Sequence, residues 1–318
     1  MELKTGSNNL GMLEKENNPL VSIIVITYNS SKYVLETLES AREQTYKNIE
    51  LIVSDDASAD NTVSICRQWI DENRDRFARV ELITVPENTG TSANCNRGVK
   101  NAKGDWVKLI AGDDALLQNC IADNINYLSE NSTASIIQSN VQFFEDTFED
   151  NNFMGISQVE LMPFFKTNIT SKEQYRLILT GNKVIVTSVF IKKQLICDVD
   201  GFDEEIPLIE DGPFFTKVLR RNYKIECISA VTVKYRRHIP SKEENRGIVL
   251  SATYAKNLLI YSKKYKKGNV KQLHYYFYNL SLYLIIIYHK LSITRRIKLA
   301  DQVFAKITKA LRKVSIYS

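Results

Sequence analysis

At 318 residues, with 42 Lys and Arg against 37 Asp and Glu and 44% hydrophobic residues, the chain has ample length to bury a core as one large domain or one domain with an extension. Its charge is unevenly placed: residues 251–318 hold 14 basic side chains and one acid, Asp301, whereas the first 250 hold 28 basic and 36 acidic ones. The five cysteines are scattered without a CxxC pair, the first nineteen residues are polar, and no run reaches the eighteen or so apolar residues that a bilayer span needs; the expectation is a cytoplasmic protein without disulfides, signal peptide or transmembrane helix.

The first apolar run, Leu20–Thr27, is nearly all β-branched, as in a strand buried on both faces of a parallel sheet. Tyr33, Val34, Leu38 and Ala41 then recur at helical spacing between about Lys32 and Gln44. Ile49–Asp56 is a second strand ending in carboxylates. Asp60 is placed to N-cap a helix reaching about Asn73, and Val80–Val85 makes a third strand. Asn88–Gly104 is expected as a loop feeding a third helix, and Trp106–Ile110 as a fourth strand. Alternating strands and helices predict an open α/β sheet.

At the end of the fourth strand, WVKLIAGDDALLQNC sets Asp113 directly before Asp114. Like charges at this spacing repel unless a cation or a hydrogen-bonding ligand takes up their charge; the alternative is an Asp-rich turn capping a helix that begins near Leu117. In open parallel sheets, ligands bind beyond the carboxyl ends of the strands. Thr27, Tyr28 and Asn29 follow the first strand, Asp55 and Asp56 the second, Asn88 the third, and Asp113 and Asp114 the fourth, so one sheet edge collects them all. The chain lacks GxGxxG after the first strand and GxxxxGK[ST] throughout, so neither a dinucleotide nor a P-loop cradle is indicated. Phosphate at this edge would be handled by a hard ion, Mg2+ or Mn2+, on the aspartates.

In order and approximate spacing, the segments VSIIVITYN, IELIVSDDASADNT, NTGTSANCNRGV, GDWVKLIAGDD, GFDEEIPLIEDGPFFTKVLRRNYKI and VKYRRH resemble the family 2 glycosyltransferases, over roughly residues 20–240. The resemblance implies an α/β fold of GT-A (Rossmann-like) type, an open mixed sheet flanked by helices, with a nucleotide-diphosphate sugar over the strand ends. It implies that Asp113 binds Mn2+ or Mg2+ against the donor phosphates, with His238 as a further metal candidate and Asp114 in the donor site. Asp56 matches the acid that reads the base, typically uracil, beside Thr27, Tyr28 and Asn29, with Asp55, Asn88 and Asn94 in the same nucleotide-sugar set. Ala111 stands where the first acid of the D-x-D-like motif is expected, and Cys95 where many relatives carry arginine. Asp211 matches the catalytic base, with Glu210 beside it.

An inverting transfer needs one carboxylate close to the acceptor hydroxyl, opposite the leaving diphosphate. An ordinary Asp titrates near about 3.9, a poor match for that task at neutral pH, and an adjacent, partly buried Glu210 would raise it. Asp211 also suits an N-cap for a helix through Phe214, Phe215 and Val218, with Pro213 early in it; capping and catalysis are compatible. Arg236 and Arg237 either pair with phosphate or are solvated.

Beyond about residue 248, strand signals give way to three helical segments: Lys263–Lys267, the largely apolar fourteen-residue run Tyr275–Tyr288, and Thr294–Lys313, where Ile297, Val303, Ile307, Ala310 and Leu311 fall at helical spacing. Cationic amphipathic helices are drawn to anionic leaflets; the alternative is a helical subdomain on the sheet or against another subunit. The expected organisation is a polar tail (1–19), a GT-A domain (20–247, with a nucleotide-binding half to about 115 and an acceptor half from about 116), and a basic amphipathic extension (248–318). The function the resemblance implies is metal-dependent, inverting transfer from a UDP-sugar to a glycan or lipid-linked acceptor, in bacterial polysaccharide assembly at the inner face of the plasma membrane. Nucleic acid is not expected, because the tail's aromatics sit in apolar runs instead of alternating with basic residues. Two rivals stand beside this reading. A sugar nucleotidyltransferase would show a glycine-rich basic loop where TYNSSKY stands; a non-catalytic nucleotide-sugar or polysaccharide-binding scaffold fits Ala111 and Cys95 but not Asp113, Asp114 and Asp211.

Overall fold

The structure, a computed structural model, describes residues 18–181, 184–238, 251–291 and Lys306. Its first half alternates β1 (Val21–Thr27), α1 (Val34–Arg42), β2 (Ile49–Asp55), α2 (Thr62–Asn73), β3 (Arg79–Thr84), α3 (Thr91–Asn101) and β4 (Trp106–Ala111). β1 pairs parallel with both β2 and β4, and β2 with β3. Side-chain alternation along β1 explains its unbroken apolar run. Val21, Ile23 and Val25 enter one core with Leu38 and Trp69, while Ile24 enters the opposite core with Val99 and Phe214.

The second half adds β5 (Ala115–Leu116), α4 (Cys120–Glu130), β6 (Ile136–Glu145), β7 (Phe153–Ile156), α5 (Ser171–Thr180), β8 (Val189–Lys192), α6 (Lys193–Asp198), α7 (Asp211–Arg220) and β9 (Glu226–Arg237). Strand order is β3-β2-β1-β4-β8-β6-β9-β5, with β7 on β6. β8 runs antiparallel between β4 and β6, and β9 parallel to β6, so the open sheet is mixed.

Two local expectations change. The Asn88–Gly104 stretch is mostly α3 itself, whose small polar residues hide its periodicity: Ser92, Asn94 and Gly98 are buried with Cys95 and Val99, and Ala102 follows at its end. Nor do Asp113 and Asp114 cap a helix, because β5 intervenes and α4 starts at Cys120.

After β9 come α8 (Ala252–Tyr261), a π-helical turn (Ser262–Lys266) that holds most of the Lys263–Lys267 run, and α9 (Gln272–Leu291), which contains the Tyr275–Tyr288 run. The Thr294–Lys313 segment lies outside the described residues apart from Lys306. Tyr261 and Tyr265 pack on Ile206 and Ile209 in front of α7, and the Tyr261 and Thr216 hydroxyls meet at 2.9 Å. α9 packs on α8 through Leu282 and Ile285 against Ala255 and Leu259. Among the described residues, no helix is long and apolar enough to cross a membrane.

Candidate active site

The carboxyl ends of β1 and β4 separate at Gly112, whose N–H donates to the Ile26 carbonyl at 2.8 Å, and the Asp113–Asp114 turn follows. The end of β9 holds this turn. The Arg236 backbone N–H donates to Asp114 Oδ1 at 2.8 Å, and its Nε to the Asp113 carbonyl at 2.7 Å. The guanidinium also reaches Glu36 Oε2 at 2.6 Å and the Asp146 carbonyl, and lies 4.2 and 3.9 Å from the ring centroids of Tyr33 and Phe148. Arg236 is therefore a buried clamp, neither solvated nor free for phosphate. Just past it, His238 Nε2 sits 2.6 Å from Asp113 Oδ2, and both side chains are partly exposed.

Asp114 is buried, and burial, then the Asp113 charge, pushes its carboxyl up to about 7. Lys108, in the middle of β4, is fully buried and donates to the Thr187 carbonyl at 2.7 Å. Burial lowers the ammonium's pKa, and Cys120 and Asp114 nearby offset part of that.

Asp113, Asp114, His238 and Glu210 all line one cavity of about 250 Å³, with Cys95, Thr187 and the apolar Ile26 and Leu109. Glu210 occupies the N-cap position of α7 but its side chain makes no capping bond. Burial and the adjacent Asp211 charge push it up to about 7. Asp211 is the first residue of α7, and its Oδ1 accepts the Gly212 N–H at 2.6 Å, so the carboxylate lining the cavity is Glu210. Burial and Glu210 together hold the Cys95 thiol well above its ordinary pKa.

Four other candidates form a buried network under the same edge. Asp55 accepts from the hydroxyls of Thr27 and Ser58 at 2.8 and 2.5 Å. Asp56 accepts from the Thr89 N–H and hydroxyl, from the Gly90 N–H and from Arg97. Burial alone would raise Asp56, but these bonds outweigh it and hold the carboxyl below the ordinary range. Asn94 ties the Thr27 carbonyl to Ser54 and Arg97. Tyr28, Asn29 and Asn88 are exposed. The structure thus brings Asp113, Asp114, Glu210 and His238 to one cavity, makes Thr27, Asp55, Asp56 and Asn94 the support of its rim, and leaves Tyr28, Asn29 and Asn88 on the outer face. Sequence reasoning missed Thr187, which lies in a stretch without a recognisable pattern, and the buried roles of Lys108 and Arg236.

Gly90 shows how tightly the rim is set. Its φ is +91°, and a Cβ there would lie 2.5 Å from Pro207 Cβ and 2.9 Å from the Pro207 carbonyl. Gly90→Ala is expected to cost about 2–4 kcal/mol in urea unfolding, from the left-handed backbone and the clash together. A cost within about 0.5 kcal/mol would show that the rim yields instead.

As metal donors, Asp113 and His238 offer one hard oxygen and one imidazole nitrogen. Among the described residues, no group of three or more His, Cys, Asp or Glu is arranged to hold an ion. Among the described residues this pair would supply two ligands, a set that suits an ion taking its remaining ligands from phosphates and water.

The family model described as glycosyl transferase family 2 matches residues 22–192. An uncharacterized glycosyltransferase of Haemophilus influenzae is 27% identical over 268 residues, 82% of this chain and 94% of its own length. Glycosyltransferase GlyG of Streptococcus pneumoniae is 33% identical over 134 residues, 42% of each chain. S. aureus TarS 1-349 in complex with UDP-GlcNAc superposes with a TM-score of 0.58 at 18% identity, covering 93% of this chain and 89% of that one. The mannosyltransferase PcManGT from Pyrobaculum calidifontis, in complex with GDP-Man and Mn2+, gives 0.56 at 16% identity, covering 93% and 87%. At these identities the two structures establish the fold, which is the GT-A type. The family model covers more than half of the 318 residues, and the chain therefore belongs to glycosyltransferase family 2.

Proposed function

We propose that this glycosyltransferase moves a sugar, with inversion, from a UDP-sugar to a hydroxyl of a glycan or lipid-linked acceptor in bacterial surface polysaccharide assembly, using Mn2+ or Mg2+. The observation that carries this reading is the single cavity lined by the Asp113–His238 pair and by Glu210. The donors named with the two structural neighbours, UDP-GlcNAc and GDP-Man, support a nucleotide-sugar donor here, and the Mn2+ named with the second supports a divalent ion.

Asp113 and His238 would hold the ion, whose chemistry when bound is to offset charge developing on the leaving diphosphate. Asp114 and Arg236 keep that pair in register. The Asp55, Asp56 and Asn94 network shapes the rim on which the exposed Tyr28 and Asn29 meet the nucleoside. Glu210, the member of the Glu210–Asp211 pair that lines the cavity, takes the proton of the acceptor hydroxyl; a carboxyl titrating near neutrality is matched to that task. The division into a catalytic unit (20–247) and a basic extension (248–318) belongs to the same proposal.

The test is donor hydrolysis by the purified chain across UDP-, GDP- and dTDP-sugars with Mn2+, Mg2+ or chelator. The expected result is metal-dependent nucleotide release from a UDP-sugar. Because the proposed Asp113–His238 pair would leave most of the ion's ligand positions to the donor and water, UDP is expected to tighten Mn2+ binding by about tenfold or more, read by calorimetry. Absence of both nucleotide binding and release would overturn the donor site.

A further inference from the structure

α9 is apolar on two opposite sides. Leu282 and Ile285 are fully buried against α8, while Leu273, Tyr276, Leu280, Tyr283 and Ile287, spaced three and four residues apart, form a stripe whose members are each 43–59% exposed. Single exposed apolar residues are ordinary, but a continuous stripe over four turns marks a surface that meets something. A helix apolar on all sides is normally a covered one.

Charge identifies the cover. Residues 251–291 contain no Asp or Glu. Lys263 lies beside the stripe, its Nζ 5.5 Å from the Tyr283 ring centroid, and exposed Lys290 follows Ile287 by three residues on the same side. Lys264 is engaged elsewhere, with Asp203 and Glu205. A second copy of the chain docking through this face would set these lysines against each other, with no carboxylate on α8 or α9 to answer them. An anionic lipid surface answers them directly, and tyrosines and lysines flanking an apolar face are the composition of a helix lying in a bilayer interface. α9, at 20 residues, is not apolar enough to be a spanning helix.

We propose that the outward face of α9 docks on an anionic bilayer, with the helix lying in the plane of the interface. The attachment is mechanically tied to the cavity. α9 packs on α8, and Tyr261 at the end of α8 contacts Thr216 of α7, the helix that Asp211 begins. Docking rests on this face alone and does not depend on the identity of donor or acceptor.

The experiment is co-sedimentation of the full chain with vesicles of phosphatidylcholine alone or mixed with phosphatidylglycerol, at low and high salt. Binding is expected only to the anionic vesicles and should weaken as salt screens it. Leu280→Glu with Tyr283→Glu should reduce it by about tenfold or more, while nucleotide binding stays unchanged as proof of folding. Lys263→Glu, which leaves the apolar stripe intact, should weaken it by about fivefold. Equal binding to both vesicle types, no binding by the unaltered chain, or wild-type binding by the double variant would overturn the proposal. So would a lipid-free dimer in light scattering that the double variant dissolves, which would assign the face to a second copy.

Discussion

Asp113→Ala is expected to lower metal-dependent nucleotide release by about a thousandfold while leaving unfolding free energy within about 0.5 kcal/mol of the unaltered chain. The two expectations follow from the same geometry. Asp113's side chain is partly exposed and its carboxylate meets His238, so its removal opens no core cavity. In the proposed Asp113–His238 donor pair its carboxylate is the hard-oxygen ligand, so its loss would leave the imidazole to hold a cation against a diphosphate. Asp114→Ala should behave differently: that carboxylate is buried and accepts the Arg236 N–H, so stability and turnover should fall together. Donor hydrolysis and urea unfolding on the same preparations separate the cases. Asp113→Ala turnover within about threefold of the unaltered chain would remove Asp113 from the metal site.

The contrast between these neighbours shows what the sequence could and could not convey. The apolar runs announced β1, β2 and β4, because parallel strands buried on both faces are largely apolar. The mixed half was harder to read, since β8 is four residues long and pairs with β4 and β6 through contacts far apart in the chain. The meeting of Asp113 with His238 spans 125 residues, and only the order of the motifs, not any local spacing, placed the two together. Nothing in the sequence around Lys108 foretold that its ammonium is buried and held by the Thr187 carbonyl. Arg236 read as either a phosphate ligand or a solvated side chain, because no local pattern distinguishes a buried guanidinium clamp from a free one. Glu210 and Asp211 are adjacent in the sequence, and it is the start of α7 between them that separates their environments.

That separation carries the second large effect. Glu210→Gln is expected to lower sugar transfer by about two to four orders of magnitude with UDP binding retained, because it removes the proposed proton acceptor and leaves Asp113 and His238 in place. Asp211→Asn should instead relieve Glu210 of a neighbouring negative charge and let its pKa fall from about 7 toward the ordinary glutamate range, moving the acidic limb of the rate profile to lower pH. If Asp211→Asn abolishes transfer at every pH while Glu210→Gln remains active, the base is Asp211. Stability gives an independent reading of the same group. Glu210's pKa is raised in the folded state, so the stability it contributes is fully present below its unfolded pKa of about 4.5 and is lost as pH rises through about 7. Glu210→Gln should therefore unfold later than the parent above pH 7, by about 1–3 kcal/mol, with no gain near pH 4. A residue that merely capped α7 would show the reverse, a loss of about 1 kcal/mol with transfer intact. A variant more stable and less active than its parent is the outcome expected of a carboxylate kept in an unfavourable place for its chemistry.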